Sequence, residues 1–132
     1  MALIHLADDD PMVREIVRGT LTPHGHVVGM VDNGEDAVRI FVAKRPDLVI
    51  LDCAMPQMGG VEALRRIRLL SGNERVPILM LTARRSSMDE TIATRAGADD
   101  YLRKPFIPTQ LLVRVELLLQ RSANSRDKTA AG

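Results

Sequence analysis

At 132 residues, 45% hydrophobic and 27% charged, the chain fits one globular domain with one sizeable core, which argues against disorder, a fibrous repeat or two domains. The 18 Lys and Arg against 17 Asp and Glu leave a formal net charge of +1, so nothing draws the whole chain to nucleic acid or an anionic membrane. The lone Cys53 excludes an internal disulfide and fits a reducing cytoplasm, and no apolar run approaches the roughly 20 residues of a membrane span.

Apolar residues come alternately as short β-type runs and at helical spacing, which predicts an α/β fold with a parallel sheet. Residues 2–7 read as the first strand. Asp10 then caps a helix with Pro11 in its first turn and Val13, Ile16, Val17 and Leu21 as its buried stripe. Past the break at Pro23-His24-Gly25, residues 26–31 form the second strand, and Gly34–Lys44 a helix with Ala37, Val38 and Phe41 inward and Pro46 as its stop. His24 and His26 lack a third ligand, so a solvated turn is expected there and not a metal site.

Residues 48–51 are aliphatic throughout, as a strand covered on both faces must be, and the run ends on Asp52. Residues 55–60 are expected as loop, after which Val61, Leu64 and Ile67 mark a third helix stopping near Ser71-Gly72-Asn73. Residues 76–81 read as the fourth strand. The next helix has only Met88, Ile92, Ala93 and Ala96 as its apolar face, with Gly97 as its stop, and such sparse packing predicts mobility. Residues 100–103 give a short fifth strand, and Pro108 opens a last helix carrying Leu111, Leu112, Val115, Leu118 and Leu119. The domain is expected over 2–121, with 122–132 a frayed polar tail or the start of a linker.

In an open parallel sheet, ligands bind beyond the carboxyl ends of the strands. At those positions the chain carries Asp8-Asp9-Asp10, Asp52, Thr82-Ala83 and Lys104-Pro105. Crowded carboxylates oppose one another's ionisation unless a cation lies among them, and oxygen ligands without His or Cys favour a hard ion such as Mg2+. Asp10 is expected to be only a cap. Each of the others alone could be a cap, a turn or a strand end, and it is their joint placement that favours a site.

Asp8-Asp9, Leu51-Asp52, Met55-Pro56, Leu81-Thr82-Ala83 and Tyr101-Leu102-Arg103-Lys104-Pro105-Phe106 resemble the receiver domains of two-component response regulators, over about residues 2–121. The resemblance implies a doubly wound, flavodoxin-like (βα)5 domain with strand order 2-1-3-4-5. It implies that Asp52 accepts a phosphoryl group from a sensor histidine kinase or phosphotransfer protein. Mg2+ would be held by Asp9, Asp52 and the Ala54 carbonyl, and by Asp8 through water. The Thr82 hydroxyl, the Ala83 N–H and the Lys104 ammonium would contact the phosphoryl oxygens.

A cis Lys104–Pro105 peptide is implied too, as is a switch in which Thr82 moves inward and Tyr101 follows. That movement would alter the face of the fourth helix, fifth strand and fifth helix toward an output partner or effector domain. On that face Asp99 or Asp100 with Arg114, and Arg95 with Glu116, resemble the charged pairs of receivers that dimerise on phosphorylation. Gly59 stands where many receivers carry an acid, and Ala54 where a polar or bulkier residue is commoner. Gly59-Gly60 is expected to loosen the loop, and Ala54 with Arg84 leaves the phosphoryl lifetime open.

Three rivals stand beside this reading. A phosphatase working through an aspartyl phosphate would need a second acid, which Ala54 does not offer. A flavin module would need more rings than no Trp, one Tyr and two Phe provide. An interaction module that keeps the fold but ignores phosphorylation stays open, as do the cognate kinase, the stimulus and the output.

Overall fold

The computed structural model describes residues 1–72, 75–82 and 87–131, with the backbone alone at 87–90 and 125–131. The strands β1 (Leu3–Ala7), β2 (Val27–Val31), β3 (Leu48–Asp52), β4 (Ile78–Thr82) and β5 (Asp100–Arg103) form one parallel sheet in the order β2-β1-β3-β4-β5. Between and after them run α1 (Pro11–Leu21), α2 (Gly34–Lys44), α3 (Gly60–Leu70), α4 (Ser87–Ala96) and α5 (Pro108–Ala131). This is the doubly wound, flavodoxin-like arrangement. Among the described residues no helix is long and apolar enough to cross a membrane.

Because side chains alternate along a strand, the sheet feeds two separate cores. Ile4, Leu6, Leu48, Ile50, Leu79 and Leu81 pack with Val17 and Leu21 of α1 and with Leu111, Val115 and Leu118 of α5. On the opposite face Ala7, Val49, Leu51, Ile78 and Met80 pack with Ala37 and Phe41 of α2, with Ala63, Leu64 and Ile67 of α3, and with Ala93 of α4. Every residue of β3 and β4 is buried, which explains their unbroken aliphatic runs.

Several expectations are corrected. Ile16 and Ile92 face solvent at 37% and 39% exposure, because the buried rows of α1 and α4 run through Val17 with Leu21 and through Ala93. Among the described side chains of α4, Ala93 is buried and Ala96 packs against the second core, while the side chain of Met88 lies outside the described residues. β4 starts at Ile78 and not at residue 76, since Pro77 has no N–H to give a ladder. α5 runs to Ala131, and residues 122–131 contain neither Pro nor Gly to stop it. His26 is buried, not solvated: its Nδ1 accepts from the Ala2 N–H at 3.2 Å and its Nε2–H donates to Glu116 at 2.8 Å.

At the lower end of the sheet the Arg68 guanidinium donates to the carbonyls of Val76 and Gly97 and to the Asp99 carboxylate, while Asp99 also accepts from the Ile78 N–H at 2.8 Å. Gly97 sits at φ +110 against the Arg68 stem. α3, β4 and the turn after α4 are joined there by one side chain. With only 14% of its side chain exposed, Arg68 takes with it the half-buried pair to Asp99 and the donor to the Val76 carbonyl, so Arg68→Ala is expected to cost about 3 kcal/mol in urea unfolding. Arg75→Ala removes a second contact to Asp99 from a side chain 61% exposed, and less than about 1 kcal/mol is expected. Equal effects from the two would refute this account.

Candidate metal and phosphoryl-transfer site

The strand order reverses between β1 and β3, which leaves a crevice beyond their carboxyl ends. Ala7 pairs with Leu51, so the next residues, Asp8 and Asp52, emerge side by side. Carboxylate oxygens of Asp8, Asp9 and Asp52 lie within 4.8 Å of one another; Asp8 and Asp52 are buried and Asp9 is exposed. Asp10 is the α1 cap, its Oδ1 accepting from the Met12 N–H at 2.9 Å, and its own N–H donates to Asp8 Oδ1 at 2.9 Å.

β4 and β5 bring the other groups. Lys104 Nζ reaches Asp8 Oδ2 at 2.7 Å and Asp52 Oδ1 at 3.3 Å, and the Lys104–Pro105 peptide is cis. The Lys104 N–H donates to the Thr82 carbonyl at 2.8 Å, tying the start of the β5 loop to the end of β4. Thr82 is fully buried, and its hydroxyl has no protein partner among the described residues. Tyr101 is half-buried at the margin of the second core. Ala83 and Arg84 lie outside the described residues.

Charge is crowded here. Burial and then the neighbouring Asp8 charge push the Asp52 carboxyl up to about 6, although Lys104 and the Ala54 N–H pull the other way. Burial opposes the Lys104 ammonium, yet hydrogen bonds and attraction from Asp8 and Asp52 outweigh it and hold the amine above its ordinary value. Three carboxylates against one ammonium leave an excess of negative charge that a divalent cation would offset. The donor set is all oxygen, which fits a hard ion such as Mg2+. The exposed Ala54 lies beside Asp52, its N–H donating to Oδ1 at 3.3 Å.

The loop after Asp52 returns closely to the end of β3. Gly60 is the first residue of α3, buried, and its N–H donates to the Cys53 carbonyl at 3.0 Å. A Cβ there would lie 1.9 Å from the Asp52 carbonyl oxygen, so only glycine permits the approach. Gly34 does the same at the start of α2, where its N–H donates to the Met58 carbonyl at 3.1 Å.

The charged residues expected on one face divide. Asp100 and Arg114 pair at 2.9 Å across β5 and α5, and Arg95 is exposed. Asp99 instead faces Arg68 and Arg75, and Glu116 faces His26, so within this chain Asp99 does not pair with Arg114, nor Glu116 with Arg95. Sequence reasoning also missed Arg14, whose guanidinium donates to the Asp8 carbonyl at 2.9 Å. An Arg one turn into a helix that follows strand-end acids was the available signal.

The family model for the response regulator receiver domain matches residues 4–116. The chain belongs to this family. A curated relative of this receiver is the response regulator MprA of Mycobacterium ulcerans (strain Agy99), 40% identical over 127 residues, which cover 96% of this chain and 54% of the relative. The receiver therefore spans about half the length of the curated relatives it matches. Among solved structures, NtrX from Brucella abortus superposes with a TM-score of 0.92 at 26% identity over 99% of this receiver and 29% of that chain. The receiver domain of the sensor histidine kinase PA1611 from Pseudomonas aeruginosa PAO1, solved with a magnesium ion in its active site cleft, gives 0.83 at 33% identity over 90% and 98% of the two chains.

Proposed function

We propose that this receiver is a magnesium-dependent phosphoacceptor switch of a cytoplasmic two-component relay, with Asp52 as the acceptor. The observation that carries the proposal is the meeting of Asp8, Asp9 and Asp52 with the Lys104 ammonium at the strand ends. An Asp52 carboxylate oxygen attacks the phosphorus of a phosphohistidine on a sensor kinase or phosphotransfer protein. The P–O bond forms as the P–N bond breaks, and the imidazole leaves with the donor. Asp9, Asp52 and the Ala54 carbonyl, with Asp8 through water, would hold Mg2+, which would supply positive charge toward the oxygens in transfer.

Lys104 faces the same oxygens from the β5 side. The buried Thr82 hydroxyl has a hydrogen bond to donate, and the Ala83 N–H is the second donor in this reading. Thr82 drawn toward the phosphoryl group leaves space for Tyr101, and α4, held by a single buried Ala93 among its described side chains, is the element that shifts. The α4-β5-α5 face then controls an effector region or a second copy, with Arg95, Asp99, Asp100, Arg114 and Glu116 as its charged groups.

Incubation with acetyl phosphate and Mg2+ is expected to add the mass of one phosphoryl group, and Asp52→Ala or chelation is expected to abolish the gain. A gain that survives Asp52→Ala would sink the assignment. No uptake in the native chain, together with partner binding unchanged in Asp52→Ala, would favour the phosphorylation-independent module.

A further inference from the structure

We infer that Arg14 is a positioning residue for the divalent cation, holding in place the acidic loop that presents Asp9. The inference rests on the metal reading above and concerns a side chain whose hydrogen bond goes to a backbone carbonyl and not to any of the three carboxylates. β1 makes its last ladder pairs at Ala7, with Val31 on one side and Leu51 on the other. One residue later the Asp8 N–H still finds the Val31 carbonyl at 3.1 Å, but the Asp8 carbonyl has passed the end of the ladder. Asp8 is fully buried, so that carbonyl cannot turn to solvent, and Arg14 Nη1 donates to it at 2.9 Å.

The loop is consequently fixed at three points. Arg14 holds the Asp8 carbonyl, the Asp10 N–H holds the Asp8 carboxylate, and Asp10 caps α1 through the Met12 N–H. The Arg14 N–H closes the ring by donating to the Asp10 carbonyl at 3.1 Å. Asp9, exposed between these anchors, takes its direction from the two peptides that flank it.

The choice of side chain is informative. Lys104 places its charge directly on Asp8 and Asp52, where it competes with a cation for the same oxygens. Arg14 gives its hydrogen bond to a backbone oxygen, so it fixes the loop without occupying a ligand atom. A planar, permanently ionised guanidinium suits a fixed carbonyl better than a mobile ammonium does. Without it, the peptide between Asp8 and Asp9 must rotate to find another donor, and the Asp9 carboxylate turns with it.

Calorimetric titration with Mg2+ alone tests this in the wild type, Arg14→Met and Arg14→Lys, alongside thermal melts in EDTA. Arg14→Met is expected to bind Mg2+ about tenfold more weakly, with Arg14→Lys in between. Wild-type affinity in Arg14→Met overturns the inference, whatever the melts show, because a purely structural role would lower the melting temperature and leave the affinity alone. If Arg14→Met does not fold, Arg14→Lys decides: affinity lowered about threefold supports the inference and an unchanged value overturns it. A wild type that binds no Mg2+ overturns the metal reading itself, which is a different result.

Discussion

Replacing Asp52 by Asn is expected to stabilise the chelated, metal-free protein by about 3 kcal/mol at pH 7.5, because the carboxyl is raised from 3.8 to about 6 on folding. Between those values the folded state binds more protons than the unfolded state, so the contribution of Asp52 to stability grows as pH falls toward 4 and is lost as pH rises through 6. At neutral pH the native chain carries the full cost of an ionised acid that keeps 9% of its side chain exposed and faces Asp8. The variant escapes it, with an expected rise of roughly 10 °C in melting temperature that vanishes near pH 4.

His5 runs the opposite way. Burial, then the Lys44 charge, lowers its pKa below 6.5, so the unfolded chain takes a proton first and acidification through that value removes stability. The quantity to measure is therefore the difference between variant and wild type at each pH, in which the His5 contribution cancels. Added Mg2+ is expected to raise the wild-type melting temperature and to move Asp52→Asn far less. An Asn variant no more stable than the wild type in EDTA would mean that the acid cluster carries no stored repulsion.

What the sequence made legible follows from what each signal depends on. The β-type runs and helical spacings depend only on which face is buried, so all five strands lie within a residue or two of where they were expected. Asp8, Asp9, Asp52, Thr82 and Lys104 were legible because an open parallel sheet must bring its strand ends to one edge. The misses were long-range pairings of surface-type residues. Nothing in local sequence says that Arg68 leaves solvent to meet Asp99, 31 positions away, or that His26 and Glu116, 90 apart, meet over the Ala2 N–H. Periodicity also cannot tell Ile16 from Val13 as the residue at the rim of a stripe. Gly60 was misread for another reason: a glycine needed for a close approach looks, in sequence, like one needed for slack.

That distinction yields the second large effect. Gly60→Ala is expected to lose about 3 kcal/mol, because the new Cβ would sit 1.9 Å from the Asp52 carbonyl oxygen, 2.7 Å from its carbon and 2.9 Å from Cys53 Cα. All three are backbone atoms, so no side chain can swing aside to relieve the clash. Only α3 or the end of β3 can move, and the second choice displaces Asp52 itself. Phosphoryl uptake from acetyl phosphate should fall with stability. Gly59→Ala is the control: its Cβ would stand 3.4 Å from the Cys53 carbonyl oxygen, and the backbone at φ −69, ψ 164 suits any residue. Its expected effect lies within about 0.5 kcal/mol, with uptake unchanged. Urea midpoints at constant m-value separate the two variants. If Gly60→Ala unfolds at the wild-type midpoint, the first turn of α3 does not press on the end of β3, and the close approach plays no part in orienting Asp52.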